Sequence, residues 1–277
     1  MQASITALPC RALIRIAGAD WAPFLKGLCT AHIDDMLHES QTGAPIRLYY
    51  GAFLRPQGKM YADCLLSRRG EEEVWLDVPA VAREELLAGL TMYRLRARVT
   101  IEALDAPVFV AFGDVPEGFT ADPRSAITGA AFGMSYEPQV ATAGEAEWAA
   151  FRYRLGIAEA GQDFDKDQLY AIDANLDLLN AIDFHKGCYV GQELTSRMKR
   201  RGQIKNRILV LTHDETLERG VEVLNGDLRA GEVLASTEGV SLALMRLDRM
   251  TGELAVDGQR VALKIPSWIM PHVSTSV

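Results

Sequence analysis

Apolar and polar positions alternate along residues 11–16, which predicts a strand. Asp20 then reads as the N-cap of a helix that puts Trp21, Phe24, Leu25 and Leu28 on one face, with Pro23 tolerated in its first turn. Thr42-Gly43 breaks the pattern. Residues 46–54, 60–67 and 73–78 are short β runs, and Pro56-Gln57-Gly58 and Arg69-Gly70 supply turns, so the segment reads as an antiparallel meander. Pro79 opens a helix through about Tyr93 with Val81, Leu86, Leu87 and Leu90 as its buried stripe. Residues 96–104 and 107–112 return to β. Residues 113–142 are rich in Gly, Pro, Asp and Ser and offer only short strands. Residues 145–155 are an amphipathic helix with Trp148, Phe151, Arg152 and Leu155 on neighbouring turns, and 191–201 form a helix that Gly202 stops. Beyond it, six short strands (204–213, 221–224, 228–236, 240–247, 252–256, 260–265) alternate with glycine turns at the spacing of a small barrel or sandwich. The pattern as a whole is α+β with an all-β C-terminal module.

Composition narrows the class. The chain has 277 residues, 48% of them apolar, which is enough for a large core. A net charge of −8 argues against a dedicated duplex-binding surface. No apolar run reaches the length of a membrane span, and residues 1–9 lack the basic and apolar regions of a signal peptide, so the expected compartment is the cytoplasm. The four cysteines, Cys10, Cys29, Cys64 and Cys188, show no Cys-x-x-Cys or paired Cys/His spacing, so no permanently bound metal is expected. There is no Gly-x-Gly-x-x-Gly in a βαβ setting and no Walker A loop.

Chemistry concentrates in Lys186-Gly187-Cys188-Tyr189-Val190-Gly191-Gln192-Glu193. Gly187 and Gly191 let backbone approach a ligand. Cys188 reads as a nucleophile, a redox thiol or a transient metal ligand; the alternative is a small residue buried in a turn. A lysine two residues before it and a helix start just after it both favour a thiolate. Lys186 is either that activator, a clamp for an anionic ligand tail or a solvated lysine. Glu193 is a partner for a nitrogen heterocycle or a first-turn acid, and Tyr189 a stacking or packing residue. Gln192 adds a carboxamide. His185 has no assignable partner as a base. Six aspartates and one lysine occupy 161–183, after which seven Lys/Arg and one acid occupy 186–207. The run Arg197 to Arg207 is an anion-binding wall or a solvated face.

The octapeptide, with Gly18-Ala19-Asp20, Phe24-Leu25, the Tyr50 to Lys59 hairpin, Asn175-Leu176-Asp177 and Gln192-Glu193-Leu194-Thr195, resembles the YgfZ family, the folate-binding iron–sulfur maturation proteins related to the glycine cleavage T-protein. Phe151-Arg152-Tyr153 and Gln192 to Thr195 lean towards that family's mitochondrial branch. The resemblance implies a three-domain ring around a central channel: residues 1–40 plus 114–205 as a folate-binding-like α+β domain, 41–113 as an inserted domain and 206–277 as a C-terminal β-barrel. It implies a tetrahydrofolate ligand in the channel and a role in assembling or repairing 4Fe–4S clusters of client enzymes, including tRNA-thiolating radical enzymes. Cys188 is then the key thiol and Lys186 its companion, with Gly187, Tyr189, Gly191, Gln192, Glu193, Asp63 and Arg154 around the ligand. Iron–sulfur assembly proteins and apo clients are the implied partners, with tRNA contact through Arg197 to Arg207. Two departures from the T-protein stand out. Its Asp-Asp pair corresponds to Ala62-Asp63, and its pterin-holding glutamate corresponds to Arg154, which cannot accept N–H donors. Glycine cleavage is therefore not expected. A folate-dependent one-carbon transferase is the alternative reading, and a tRNA-modification accessory protein the third.

Overall fold

The computed structural model describes residues 3–38, 45–201 and 204–273; the Thr42-Gly43 break and the Gly202 helix stop lie outside them. In chain order the elements are β1 (Ser4–Ala7), β2 (Arg11–Ala17), α1 (Trp21–Lys26), α2 (Ile33–His38), β3 (Leu48–Leu54), β4 (Met60–Gly70), β5 (Glu73–Pro79), α3 (Arg83–Arg94), β6 (Thr100–Leu104), β7 (Phe109–Phe112), β8 (Thr120–Ala121), α4 (Pro123–Thr128), β9 (Phe132–Ser135), α5 (Glu145–Leu155), α6 (Gln192–Arg201), β10 (Asn206–Thr212), β11 (Glu222–Asn225), β12 (Leu228–Thr237), β13 (Val240–Arg246), β14 (Leu254–Val256) and β15 (Gln259–Lys264). The mixed α/β pattern and the C-terminal barrel follow the sequence closely.

Three sheets result. β3-β4-β5-β2-β6 form a five-stranded antiparallel sheet, β1-β7-β9-β8 a four-stranded one, and β10-β13-β12-β11-β14-β15 close into a barrel through the β15–β10 pairing. The strand over 11–17 thus shares a sheet with 48–79, because its alternation buries Leu13 and Ile14 on opposite faces. One core packs Ile14, Ile16, Leu66 and Leu76 under α1 and α3; a second joins the two sheets, α5 and the outer wall of the barrel; a third fills the barrel.

Two local expectations fail for stated reasons. Asp20 makes no cap bond; its carboxylate accepts from the Arg98 backbone N–H at 2.8 Å and from that guanidinium, so it ties α1 to the strand entering β6. Val81 is exposed (62%), since the helix proper starts at Arg83 and Leu86 and Leu90 alone form its buried stripe, with Leu87 packed at the edge.

Where the layers meet, buried guanidiniums add to the hydrophobic contact. Arg11 donates to Asp63 at 2.8 Å and to Asp77 at 2.7 Å, and Tyr136 donates to the same Asp77 at 3.2 Å. Arg152 is paired with Asp163 at 2.6 Å, which also accepts from Tyr153 at 2.6 Å. Arg124 is paired with Asp122 at 2.7 Å and lies 4.6 Å over the Tyr50 ring. Arg207, on the first barrel strand, donates to both oxygens of Asp177, at 2.9 and 3.1 Å, and to Asn175 and the Ile172 carbonyl; Asn175 returns a bond to the Ile208 carbonyl at 2.8 Å. That cluster bolts the barrel to the segment leading into the cysteine motif. Removing one partner of a buried, hydrogen-bonded pair strands the other charge, so Arg207→Ala is expected to lower the unfolding free energy by about 3–5 kcal/mol. Urea unfolding checks this, and a loss below about 1 kcal/mol, the size of an exposed pair, contradicts it.

Candidate functional site

The cysteine motif is held from below by two interlocked loops. Thr30 hydroxyl donates to the Ala181 carbonyl at 2.7 Å and accepts the Ala52 N–H at 2.8 Å, while the Asp183 N–H binds the Thr30 carbonyl at 2.8 Å. Asp183 in turn accepts the backbone N–H groups of His185 and Lys186, at 2.8 and 3.0 Å, which shapes the turn into the motif. Gly191 closes it. Its φ is +82°, and a Cβ there would stand 2.6 Å from the Arg55 carbonyl, so only glycine lets the motif seat against the 54–58 hairpin before α6 begins. The hairpin itself is a packing element: Lys59 donates to the Gln168 carbonyl at 2.7 Å and lies 4.0 Å over Tyr170.

Cys188 ends up exposed, on a cleft of about 620 Å³ lined by Tyr189, Gln192, Glu193, Ser196, Arg197 and Arg200. The other thiols do not share it. Cys29 and Cys64 are fully buried, with their sulfurs 3.6 Å apart, and Cys10 is half-buried. Burial pushes the Cys10 thiol up to about 12, and Glu159 adds to the effect.

Lys186 sits elsewhere than the thiolate-activating role requires. Its side chain is buried, and its ammonium donates to the carbonyls of Cys29 and Ala31, the latter at 2.8 Å. Burial lowers its pKa against the opposing pull of Cys29 and Asp183. The charge therefore serves the buried thiol pair: burial raises Cys29, but the Cys64 hydrogen bond, the Lys186 ammonium and the backbone amides of Ala31 and Ala52 outweigh it and lower the pKa, while Cys64 is driven up. Lys186 is a clamp between the 29–31 loop and the motif. His32, whose Nδ1 lies 3.8 Å from Asp183, belongs to the same cluster and is not marked by any sequence motif.

The remaining motif residues divide. Tyr189 is packed, 5.0 Å from the Lys186 ammonium, so it is a wall of the cleft and a lid on the lysine. Gln192 and Glu193 face the cleft; Glu193 pairs with Arg197 at 2.5 Å. Gly187 and His185 are exposed. Of the basic run, Arg207 is a core residue and Lys199 pairs with Asp177 at 3.0 Å, whereas Arg200 has no ion pair among the described residues. The long cationic stripe expected for tRNA shrinks to a short patch beside Cys188.

Asp63 and Arg154 are not part of this cleft. Asp63 is 1% exposed, bound to Arg11 and to the Ala160 N–H at 3.1 Å, and Arg154 is exposed on α5. Just beyond α5 the buried Glu159 carboxylate is flanked by Arg152 and Arg124 at 3.6 and 3.7 Å. Burial works against its charge, yet Arg152, Arg11 and Arg124 prevail and hold its pKa below the usual range. A tetrahydrofolate head needs free carboxylates to accept its N–H donors. Here Asp63 is bonded to arginine and Glu159 is ringed by guanidiniums, Arg154 lies on the outside, and the motif residues open onto a different surface. The residues present do not fit the group. Among the described residues no three His, Cys, Asp or Glu gather as a metal site, and no helix is long and apolar enough to cross a membrane.

Comparison with known proteins fixes the family. The profile described as the CAF17 C-terminal beta-barrel domain matches residues 205–271. The iron–sulfur cluster assembly factor IBA57 homolog, mitochondrial, of Pyricularia oryzae is 30% identical, over 94% of this chain and 76% of that protein. The mouse protein, iron–sulfur cluster assembly factor IBA57, mitochondrial, is also 30% identical, over 93% of this chain and 83% of its own length. The chain belongs to the IBA57 family. The resemblance to YgfZ thus resolves to the related IBA57 branch. The crystal structure of the glycine cleavage system aminomethyltransferase T from Bartonella henselae superposes with a TM-score of 0.70 over 96% of this chain and 85% of that one, at 16% identity, and shows the aminomethyltransferase-type fold. The cytoplasmic assignment is overturned: these IBA57 relatives are named as mitochondrial, and the absence of a signal-peptide pattern in residues 1–9 did not bear on that question.

The burial pattern orders the thiols by reactivity. In native protein at pH 8, iodoacetamide is expected to modify Cys188 first. Cys10 follows slowly, with a thiolate on the order of one in ten thousand molecules at that pH, and Cys29 and Cys64 react only on unfolding. Peptide mass spectrometry over a time course reads the order, and early labelling of Cys29 or Cys64 contradicts it.

Proposed function

We propose that the protein is an accessory factor for assembling or repairing 4Fe–4S clusters in client enzymes, and that Cys188 is the group that meets the cluster. The observation that carries this reading is the placement of Cys188: the one exposed cysteine, presented from two interlocked loops, at a cleft with Arg197 and Arg200 on its wall. A thiolate is the ligand iron–sulfur clusters take. One thiol cannot hold a cluster alone, so the contact is shared with a partner that supplies the remaining ligands. Cationic side chains beside the thiol suit the negative charge of a thiolate-ligated cluster. The names of the relatives, all iron–sulfur cluster assembly factors, support the same role. Lys186 acts by holding the motif, and its substitution is a positioning defect.

The one-carbon transferase alternative is disfavoured. It needs Asp63 as acid or base, and Asp63 is bound to Arg11 away from the cleft. A tRNA role has only the short cationic patch to draw on, and client range, including tRNA-thiolating enzymes, is set by partners.

Two measurements test the proposal. In cells where this chain is the only source of the activity, Cys188→Ser is expected to abolish support of a 4Fe–4S client enzyme, while Cys10→Ser keeps it; full client activity with Cys188→Ser defeats the proposal. Anaerobic calorimetry with a reduced folate is expected to give no micromolar binding. A Kd in that range, lost in Asp63→Asn, restores the transferase reading.

A further inference from the structure

Two thiols of the core stand against a buried lysine. Cys29 follows α1 and Cys64 lies on β4; both are fully buried, and their sulfurs are 3.6 Å apart. Three segments cross there. Cys29 faces Phe53 of β3 across an isolated bridge, and Cys64 sits opposite Gly51 of the same strand. The 29–31 loop packs tightly on that strand, since a Cβ on Gly51 would stand 2.6 Å from the Ala31 Cβ. Lys186 enters from the cysteine motif and donates to the carbonyls of Cys29 itself and of Ala31.

That lysine lacks what the other buried cations have. Arg11, Arg124, Arg152 and Arg207 each pair with a carboxylate within 2.9 Å. Among the described residues no carboxylate lies within ion-pair distance of the Lys186 ammonium, which has only carbonyls to bond. A buried cation without a counter-charge is costly. Burial lowers the Lys186 pKa, and among the ionisable groups around it Cys29 opposes this most. The thiol responds in kind. Burial pushes Cys29 up, yet the Cys64 hydrogen bond, the Lys186 ammonium and the amides of Ala31 and Ala52 bring it down to about 7, while Cys64 is driven up. Cys29 is therefore the nucleophilic member, and Cys64 keeps its proton. A thiolate touching a thiol is the arrangement from which a disulfide forms once an oxidant arrives.

We infer that Cys29 and Cys64 are a two-electron oxidation site for small hydroperoxides, and that their disulfide loosens the hold of Lys186 on the cysteine motif. The Cys29 sulfur attacks one peroxide oxygen. An S–O bond forms, the O–O bond breaks, and the departing hydroxide takes a proton from solvent. The Cys64 sulfur then attacks the sulfenic sulfur of Cys29. An S–S bond forms, the S–O bond breaks, and a second water leaves with the Cys64 proton. The sulfurs lose two electrons and the peroxide gains them. The setting suits a neutral oxidant about the size of water and excludes bulkier reagents. Leu28 and Phe53, the neighbours of Cys29, line a surface groove of about 360 Å³, while the cysteines themselves are 0% exposed. A disulfide carries no charge, so Lys186 keeps its carbonyls and loses the sulfur that balances it. The state of the core pair thereby reaches the turn that presents Cys188. This inference needs only the position of Lys186 and is independent of the cluster chemistry proposed for Cys188.

The test starts from wild-type protein whose exposed Cys188 has been capped with iodoacetamide, so that peroxide cannot act there. Hydrogen peroxide is added in stoichiometric amount, and the protein is denatured in acid and digested for peptide mass spectrometry. A linked pair of peptides holding Cys29 and Cys64, lighter by two hydrogens than the free thiols, is expected, and dithiothreitol reverses it. In Cys64→Ser the sulfenic acid of Cys29 has no partner, and dimedone is expected to trap it; the capped wild type decides the matter should that variant fold poorly. Free thiols at both positions in protein whose methionines are already oxidised, or oxidation at Cys10 alone, overturns the site. Hydrogen exchange then reads the coupling. Amides of residues 183–192 are expected to exchange about tenfold faster in the disulfide form, as local opening becomes easier, and dithiothreitol restores the slow rate. Unchanged exchange across 183–192 overturns the link to the motif. Neither readout involves a client enzyme, so both stand apart from the outcome of Cys188→Ser.

Discussion

The molecule is organised around buried arginines. Arg11, Arg124 and Arg152 each lie in the interior with a carboxylate within 2.8 Å, and together they connect β2, β4 and β5 with α4, α5 and the turn after α5. Removing such charges from water is costly, and only close pairing with satisfied hydrogen bonds makes it tolerable. The carboxylates are thereby committed. Asp77 shows the tension: burial pushes its pKa up to about 6 even though Arg11 pulls it down. A centre built this way is a joint between layers. The related aminomethyltransferase fold is retained, while Asp63 is bound by Arg11 and Glu159 is ringed by arginines of the same chain.

The same arrangement explains how the motif works as a unit. Lys186 could have faced Cys188 across one residue; it turns the other way and holds two carbonyls of the 29–31 loop. A buried ammonium with two fixed carbonyl acceptors fastens the loop to the motif. Cys188 is exposed, with no hydrogen-bond partner among the described residues, and α6 and Tyr189 make its surroundings.

Much of the fold was legible in the chain. The meander over 48–79, α5 and all six barrel strands follow alternation and turn chemistry, which are local. β1, α2 and α4 escaped because they are short. β1 also depends on a distant anchor: among the described residues it pairs with β7, over 100 residues away. The octapeptide comes together at one cleft: Cys188 and Gln192 line it, and Gly191 makes the turn that α6 follows. The roles given to Lys186, Asp63 and Arg154 were not readable, because each depends on which way a side chain turns. Glu159, buried among three arginines, has no motif to announce it; only the crossing of α5, β4 and the N-terminal strand in space brings its neighbours together.

Arg197 and Arg200 on α6 put positive charge on the cleft beside Cys188, in a chain that carries −8 overall. In solution such a body rotates as an oppositely charged surface approaches, so encounters are aimed before contact. Ionic strength then acts mainly on how fast complexes form, and short-range packing sets how long they last. On the proposed role, in which Cys188 meets a cluster shared with a partner, fast and well-aimed encounters count for more than a deep equilibrium grip that would delay release.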